Sequence, residues 1–474
     1  MSIATSAFES ALERLSAQVV DPPERRPAYD VFGAPPAFLP ALGGLPKTGA
    51  IAAAARALDA GQTTCVQLTE RALERIAGDE WTAFVEVCAE DALTEALVRD
   101  AELKVGRRRG PLHGIPVSVK DVINVRGVHT RCGSDAYDAV PEEDADGVDL
   151  WRAAGAVILG KTSTHEFALG VTSPQARNPH DPTRIPGGSS GGSAIAVATG
   201  MGLASLGTDT RASIRVPAAL CGVVGLKPTY GTISTRGVVP LSWTMDHVAV
   251  MAGTAEDAAI ALDALRPGGT AIAPAAGGRV SHLRVGLATA AWEGTEAAVE
   301  SAVAAQIDKL GGLVASVGET DRPTAADFGG ANAMGLLVSR CEAATFHRAR
   351  GLDRSLYWAE VRDQLNAADG VLATDYIDAQ RYRASLREEM LAVFREHHVL
   401  AMPTAPVLAP AVERADEYLT ILSRNAILWS FVGFPAISIP CPTDGLPVGL
   451  QLVAGPGGEA LLIALATALT KGDA

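Results

Sequence analysis

Three stretches far apart in the 474-residue chain supply one lysine and two serines in settings suited to activated-serine chemistry. They are Ile115-Pro-Val-Ser-Val-Lys120-Asp121, Pro186-Gly-Gly-Ser189-Ser-Gly-Gly-Ser193 and Gly207-Thr-Asp-Thr-Arg-Ala-Ser213-Ile-Arg-Val-Pro217. A serine hydroxyl is a weak nucleophile until a base takes its proton, and a lysine kept neutral by burial can be that base. Strand alternation places Ile115, Val117 and Val119 on one face and Ser118 and Lys120 on the other. At the end of an apolar strand the ammonium loses hydration, which lowers its pKa toward that of a working base. The competing reading is a strand-end lysine that reaches water.

The glycines around Ser189 permit close backbone approach. An apolar helical segment, Ala194 to Thr199, follows at once, which a flexible turn seldom does. The start of such a helix presents free N–H groups and a positive dipole end.

Two other patterns also match. Gly155-Ala-Val-Ile-Leu-Gly160-Lys161-Thr162 fits the phosphate-loop formula of nucleotide triphosphatases, but its four central residues read as a buried strand. A true phosphate loop follows its strand. GxSxG occurs twice, over 187–191 and 188–192, and would make the chain a Ser-His-Asp α/β-hydrolase esterase with His247, His397 or His398 as base. No apolar strand leads into Gly187, however; the preceding residues are Asp181-Pro-Thr-Arg-Ile-Pro186.

Around these segments apolar strands and helices alternate. Strands are expected at Val117–Val119, Val157–Leu159, Ala204–Leu206, Arg284–Ala288, Leu313–Val317, Val399–Met402, Ala436–Ile439 and Gly449–Val453. Helices are expected at Ile51–Leu58, from a Thr64 cap to Ile76, and at Ala89–Val105, Gly192–Thr199, Glu296–Leu310, Asn332–Ala349, Tyr376–Glu396 and Glu459–Lys471. Strands separated by helices imply an α/β sheet covered on both faces. Residues 1–45 read as an added arm, with an amphipathic helix over Phe8–Val20, and residues 46–474 as the main body. The Gly/Pro/Ala stretch Arg266–Arg279 is either a linker between folding units or a loop of one large unit.

Composition narrows the classes. With 48% hydrophobic and 20% charged residues the chain can bury a large core. A formal charge of −14 argues against nucleic acid as a partner, and the basic run Arg107–Arg109 reads as a solvated loop. Six cysteines lie without CxxC pairing, and no metal site is expected. Neither a basic, apolar leader nor a membrane span is evident, so a cytoplasmic setting is expected.

Residues 187–229 as a whole resemble the defining segment of the amidase signature family. Supporting similarity lies in Gly110–Asp121, Gly160–Phe167, Pro435–Pro440 and Gly445–Gln451, so that it spans roughly 50–472. The resemblance implies an α/β fold, a large mixed, twisted β-sheet flanked on both faces by α-helices. It implies Lys120 as base, Ser189 as the bridging serine after a cis Gly188–Ser189 bond, and Ser213 as nucleophile. Backbone N–H groups of Thr210, Arg211, Ala212 and Ser213 would hold the oxyanion, with Ser190, Asp209 and Arg215 in support. The implied activity is cofactor-free hydrolysis of a small-molecule amide, with ester, anilide or carbamate turnover open to the same chemistry. A glutaminase (A-type) subunit of a tRNA-dependent amidotransferase is the alternative within the family, and the arm favours a homodimer.

One departure stands out. Members commonly carry Gly-Gly before the nucleophile; this chain has Arg211-Ala212. If either position needs a positive φ, the side chain costs of order 1 kcal/mol. Arg211 is expected either to project toward the active-site mouth and bias substrate choice, or to pair with a nearby carboxylate. Phe328, Phe346, Tyr357, Trp358 and Trp429 are candidates for an aromatic pocket, or simply core.

Overall fold

A computed structural model describes residues 49–266 and 271–470; the expected arm over 1–45 lies outside them. Eleven strands form one sheet: β1 Phe84–Val87, β2 Pro116–Lys120, β3 Val157–Thr162, β4 Ala204–Asp209, β5 Val224–Lys227, β6 His247–Ala252, β7 Arg284–Ala288, β8 Ser316–Thr320, β9 Val399–Pro403, β10 Ala436–Cys441 and β11 Val448–Ala454. Their spatial order is β1-β3-β2-β4-β6-β5-β10-β11-β9-β7-β8. Pairing is parallel for β3-β2-β4 and β9-β7-β8 and antiparallel through the middle. Every residue of β2, β3, β4, β6, β9 and β11 is buried. Because successive side chains point to opposite faces, complete burial means that helices cover both.

The register of β2 on β4 fixes where the chemistry falls. Val117 lies beside Ala204, Ser118 beside Ser205 and Val119 beside Leu206, and the two strands run the same way. Lys120 and Asp209 therefore close their strands at one rim of the sheet. The buried hydroxyls of Ser118 and Ser205 satisfy each other at 2.8 Å. Beyond β4 the chain turns through 210–214 into the helix Arg215–Cys221, whose Pro217 sits in the first turn, where proline is tolerated. Ser213 belongs to that turn. The helix Gly191–Ala198 carries Ser189 and Ser190 at its entrance.

Gly192 makes this placement close. A Cβ there would lie 2.4 Å from the Ala83 carbonyl oxygen and 2.5 Å from the Ser163 nitrogen, both backbone atoms. The first turn of the helix thus rests directly on main chain at the rim.

Several expectations are met: Thr64 caps Cys65–Ala77 through a reciprocal capping box with Gln67, and the 155–162 motif contains β3. Others shift. The strand expected at Leu313–Val317 begins at Ser316, because the Leu313 and Val314 N–H groups still bond Leu310 at the preceding helix end. The helix expected from Asn332 starts at Ala325, where Thr324 and Asp327 form a capping box ahead of two glycines. Strands β1, β5 and β6 are additions to those expected; β1 and β5 have only four residues, and β6 opens on a histidine. Arg266–Arg279 separates no sheets, since β5 before it pairs with β10 after it. In the basic run Arg108 pairs with Asp59 and Arg109 with Glu102.

Two glycine substitutions test this packing. Gly192→Ala should lower stability by about 1–3 kcal/mol through overpacking against backbone. Gly329→Ala, on an exposed helical turn with open space around its Cα, should raise it by about 0.5–1 kcal/mol. Thermal and urea denaturation of the two variants should move in opposite directions; movement in the same direction would contradict the packing described.

Candidate active site

Lys120 has no exposed surface. Its Nζ donates to Ser189 Oγ at 2.7 Å and to Thr208 Oγ1 at 2.9 Å. Both partners are neutral, and no carboxylate lies within ion-pair distance among the described residues. Burial pushes the amine down from 10.5 to about 7, although Asp209 and Asp246 pull the other way. The alternative of a lysine reaching water is not what the fold builds.

Ser189 follows a cis Gly188–Ser189 peptide bond. Its carbonyl accepts from the His165 N–H at 3.1 Å and the Ser173 hydroxyl at 3.2 Å. A Cβ on Gly188 would stand 2.5 Å from Ser173 Oγ, so only glycine fits that approach. Ser190 ties the two serine segments together. Its N–H donates to the Ser213 carbonyl at 3.3 Å and its hydroxyl to the Thr208 carbonyl at 3.2 Å.

Ser213 is 3% exposed, and its hydroxyl has no hydrogen-bond partner among the described residues. It lines a small recess with Thr210, Arg211, Arg340, Val171 and Leu241. The backbone N–H groups of Thr210, Arg211, Ala212 and Ser213 likewise donate to no protein acceptor among the described residues. Buried N–H groups are normally paired, so four in succession beside a serine leave donors for something not supplied by the protein.

Asp209 and Arg215 brace this turn. Two guanidinium nitrogens of Arg215 donate to the two Asp209 oxygens at 2.9 Å each. The same side chain reaches the carbonyls of Ala426 and Arg211, Gln451 Oε1 and Ser430 Oγ. Burial alone would raise the Asp209 carboxyl, but Arg215 holds it well below the usual carboxylate range. Asp209 also accepts from Ser430 Oγ and the Ile214 N–H. Thr210 Oγ1 donates to Asp246 at 2.6 Å.

Arg211 lines the recess beside Ser213 with only 5% of its surface exposed, and its guanidinium donates to Asn332 Oδ1 at 2.5 Å and Ser423 Oγ at 3.2 Å. No carboxylate pairs with it among the described residues. The anticipated backbone strain is also missing: non-glycine residues with positive φ are Thr82, Cys132, Phe167, Ala168 and Ser173, not Arg211 or Ala212.

Other candidates separate from the site. His247 is buried with Nδ1 on the Asp209 carbonyl, and His398 Nδ1 meets the Arg284 N–H; no imidazole nitrogen bonds Ser189, Ser190 or Ser213 among the described residues. Lys161 of the phosphate-loop match is a buried partner of Asp121 at 3.0 Å. Trp429 and Phe328 pack in the core with Phe394, while Phe346 and Tyr357 pack around His347. Sequence reading missed Thr208, Asp246, Ser173 and Arg340. Thr208 stands within the Gly207–Pro217 segment and was legible; the other three carry no local motif.

Among the described residues, no group of three or more His, Cys, Asp or Glu side chains is arranged to hold a metal, and no helix is long and apolar enough to cross a membrane.

The chain is 36% identical over 469 residues to the A-type subunit of the glutamyl-tRNA(Gln) amidotransferase of Chloroflexus aurantiacus, covering 89% of this chain and 96% of that protein. It is also 36% identical over 425 residues to an amidase of Pseudomonas putida, covering 84% and 90%. A solved amidase structure superposes with a TM-score of 0.81 at 35% identity, covering 88% of this chain and 98% of the other. The Amidase family model matches residues 67–463, and the chain belongs to that family, the amidase signature enzymes acting on C–N bonds.

Proposed function

We propose that this chain hydrolyses the C–N bond of a small amide through an acyl-enzyme on Ser213. The observation that carries the reading is the buried, carboxylate-free Lys120 amine at 2.7 Å from Ser189 Oγ. Neutral Lys120 takes the Ser189 proton, Ser189 takes the Ser213 proton, and Ser213 Oγ bonds to the carbonyl carbon. The free N–H groups of 210–213 receive the developing oxyanion, each such donor being worth about 3–4 kcal/mol in comparable sites. The C–N bond then breaks, and the proton held on Lys120 returns through Ser189 to the leaving nitrogen. Water, deprotonated by the same relay, attacks the acyl carbon and releases the acid, restoring Ser213. Esters, anilides and carbamates present the same acyl carbon and fall within this chemistry.

A second reading is the glutaminase component of a tRNA-dependent amidotransferase, favoured by the relatives that carry that enzyme's A-type name. The Pseudomonas putida amidase is equally identical, so percentage identity alone does not separate the two. Asp209 acts in our reading only through Arg215 and the loop, not as a proton carrier.

Three outcomes follow. Ser213→Ala should abolish amide hydrolysis, and Lys120→Ala should reduce kcat by about 10²–10⁴ with the fold retained by circular dichroism; wild-type turnover in either variant would refute the mechanism. Because the base works uncharged, kcat/KM should fall as pH drops through about 7, where Lys120 gains its proton, and level off above it. A flat profile from pH 5 to 9 would be incompatible. Thirdly, the purified chain alone should hydrolyse simple amides, and native mass spectrometry should show no obligatory partner protein. Activity only in a hetero-complex, with glutamine as sole substrate, would favour the glutaminase.

A further inference from the structure

Two arginines line the recess at Ser213, and neither has a carboxylate within ion-pair distance among the described residues. Arg211 and Arg340 are 5% and 8% exposed, and both line the cavity that Ser213 opens into. Arg340 lies on the helix Ala325–Arg350, and its nitrogens donate to Gln364 Oε1, Ser339 Oγ and the Leu169 carbonyl, all uncharged. Arg211 bonds only Asn332 and Ser423 among the described residues, and its buried Nε has no partner there. Neither guanidinium has a carboxylate within ion-pair distance among the described residues. Glu360 exerts a pull on Arg340, but its Oε1 lies 2.8 Å from His165 Nε2 and not within ion-pair distance of either guanidinium.

Buried guanidinium groups left beside one another are costly, and the cost shows. Burial first, and the Arg211 charge second, push Arg340 down to about 9. Arg215, at the start of the following helix, shows how this fold treats a buried arginine it needs only for structure: it is matched to Asp209 at 2.9 Å. A ligand anion between Arg211 and Arg340 would cancel their repulsion and engage donors whose planar fork suits a carboxylate.

Resting on the acyl-enzyme reading above, we propose that the substrate carries an anionic group, most simply a carboxylate, within a few bonds of the scissile amide, held jointly by Arg211 and Arg340. The recess has room for about one water-sized group, so the anionic group must be small. The simplest compounds joining such an anion to an amide are short dicarboxylic acid monoamides.

The test compares malonamate, succinamate and glutaramate with their neutral methyl esters, following cleavage of the amide. Wild-type enzyme should prefer the best of the three anions over its ester by at least about tenfold in kcat/KM. Arg340→Gln and Arg211→Gln should each bring that ratio close to one. A wild-type ratio of one or below, or a ratio unchanged in both variants, would overturn the proposal. Calorimetry on Ser213→Ala supplies a readout that needs no turnover and no folded arginine variant: at least one anion should bind about tenfold more tightly than its ester. Equal or absent binding across all three pairs would also overturn it. Loss of amide hydrolysis in Ser213→Ala without any anion preference defeats this inference alone; full hydrolysis by Ser213→Ala defeats the acyl-enzyme reading and leaves the anion preference to be judged by its own ratio.

Discussion

The Asp209–Arg215 pair is the joint on which the site is built. Arg215 has no exposed surface, yet its guanidinium is satisfied by a carboxylate, two carbonyls, an amide and a hydroxyl drawn from separate parts of the chain. A buried pair so fully bonded offsets its desolvation, whereas removing one partner would cost about 3–5 kcal/mol. Through Gln451 it reaches β11, through Asp209 the end of β4, and through the Arg211 carbonyl the turn that carries Ser213. The two halves of the sheet are therefore locked together at the point where Ser213 must stand.

That lock explains how side chains can replace the usual glycines ahead of Ser213. The turn takes its shape from Arg215 and from the Thr210–Asp246 bond, and it keeps Arg211 and Ala212 out of the left-handed region. Ala212 packs with Val171, Ile185, Val216 and Leu220. Positive φ is displaced to Phe167, Ala168 and Ser173, in the segment that lies across the recess and supports Ser189. Such backbone conformations persist where surrounding structure over-determines them.

Much of this was legible in the sequence because it depends on local rules. Period-two alternation put Ser118 and Lys120 on one face, and the glycine run before Ala194 announced a helix entrance pressed against main chain. The apolar interior of 155–162 distinguished a strand from a phosphate loop. What escaped was contact across long separations: Arg340 and Asn332 reach Arg211 from a helix more than a hundred residues away, and no periodicity encodes which turn of that helix faces the site. Short elements escaped for another reason. A four-residue strand such as β5 offers too few positions for alternation to register, and Pro217 disguised a helix in whose first turn it sits. Of the aromatic residues offered either for a pocket or for the core, Trp429 fills the core.

The complete burial of Lys120 has an implication for how the proposed relay would fail. Burial is what lowers the pKa of this amine, so solvent admitted past the 187–190 segment would raise it and favour the ammonium. Inactivation by heat or denaturant should accordingly run ahead of global melting, with catalysis reporting a breach at the sheet rim while the far strands remain paired.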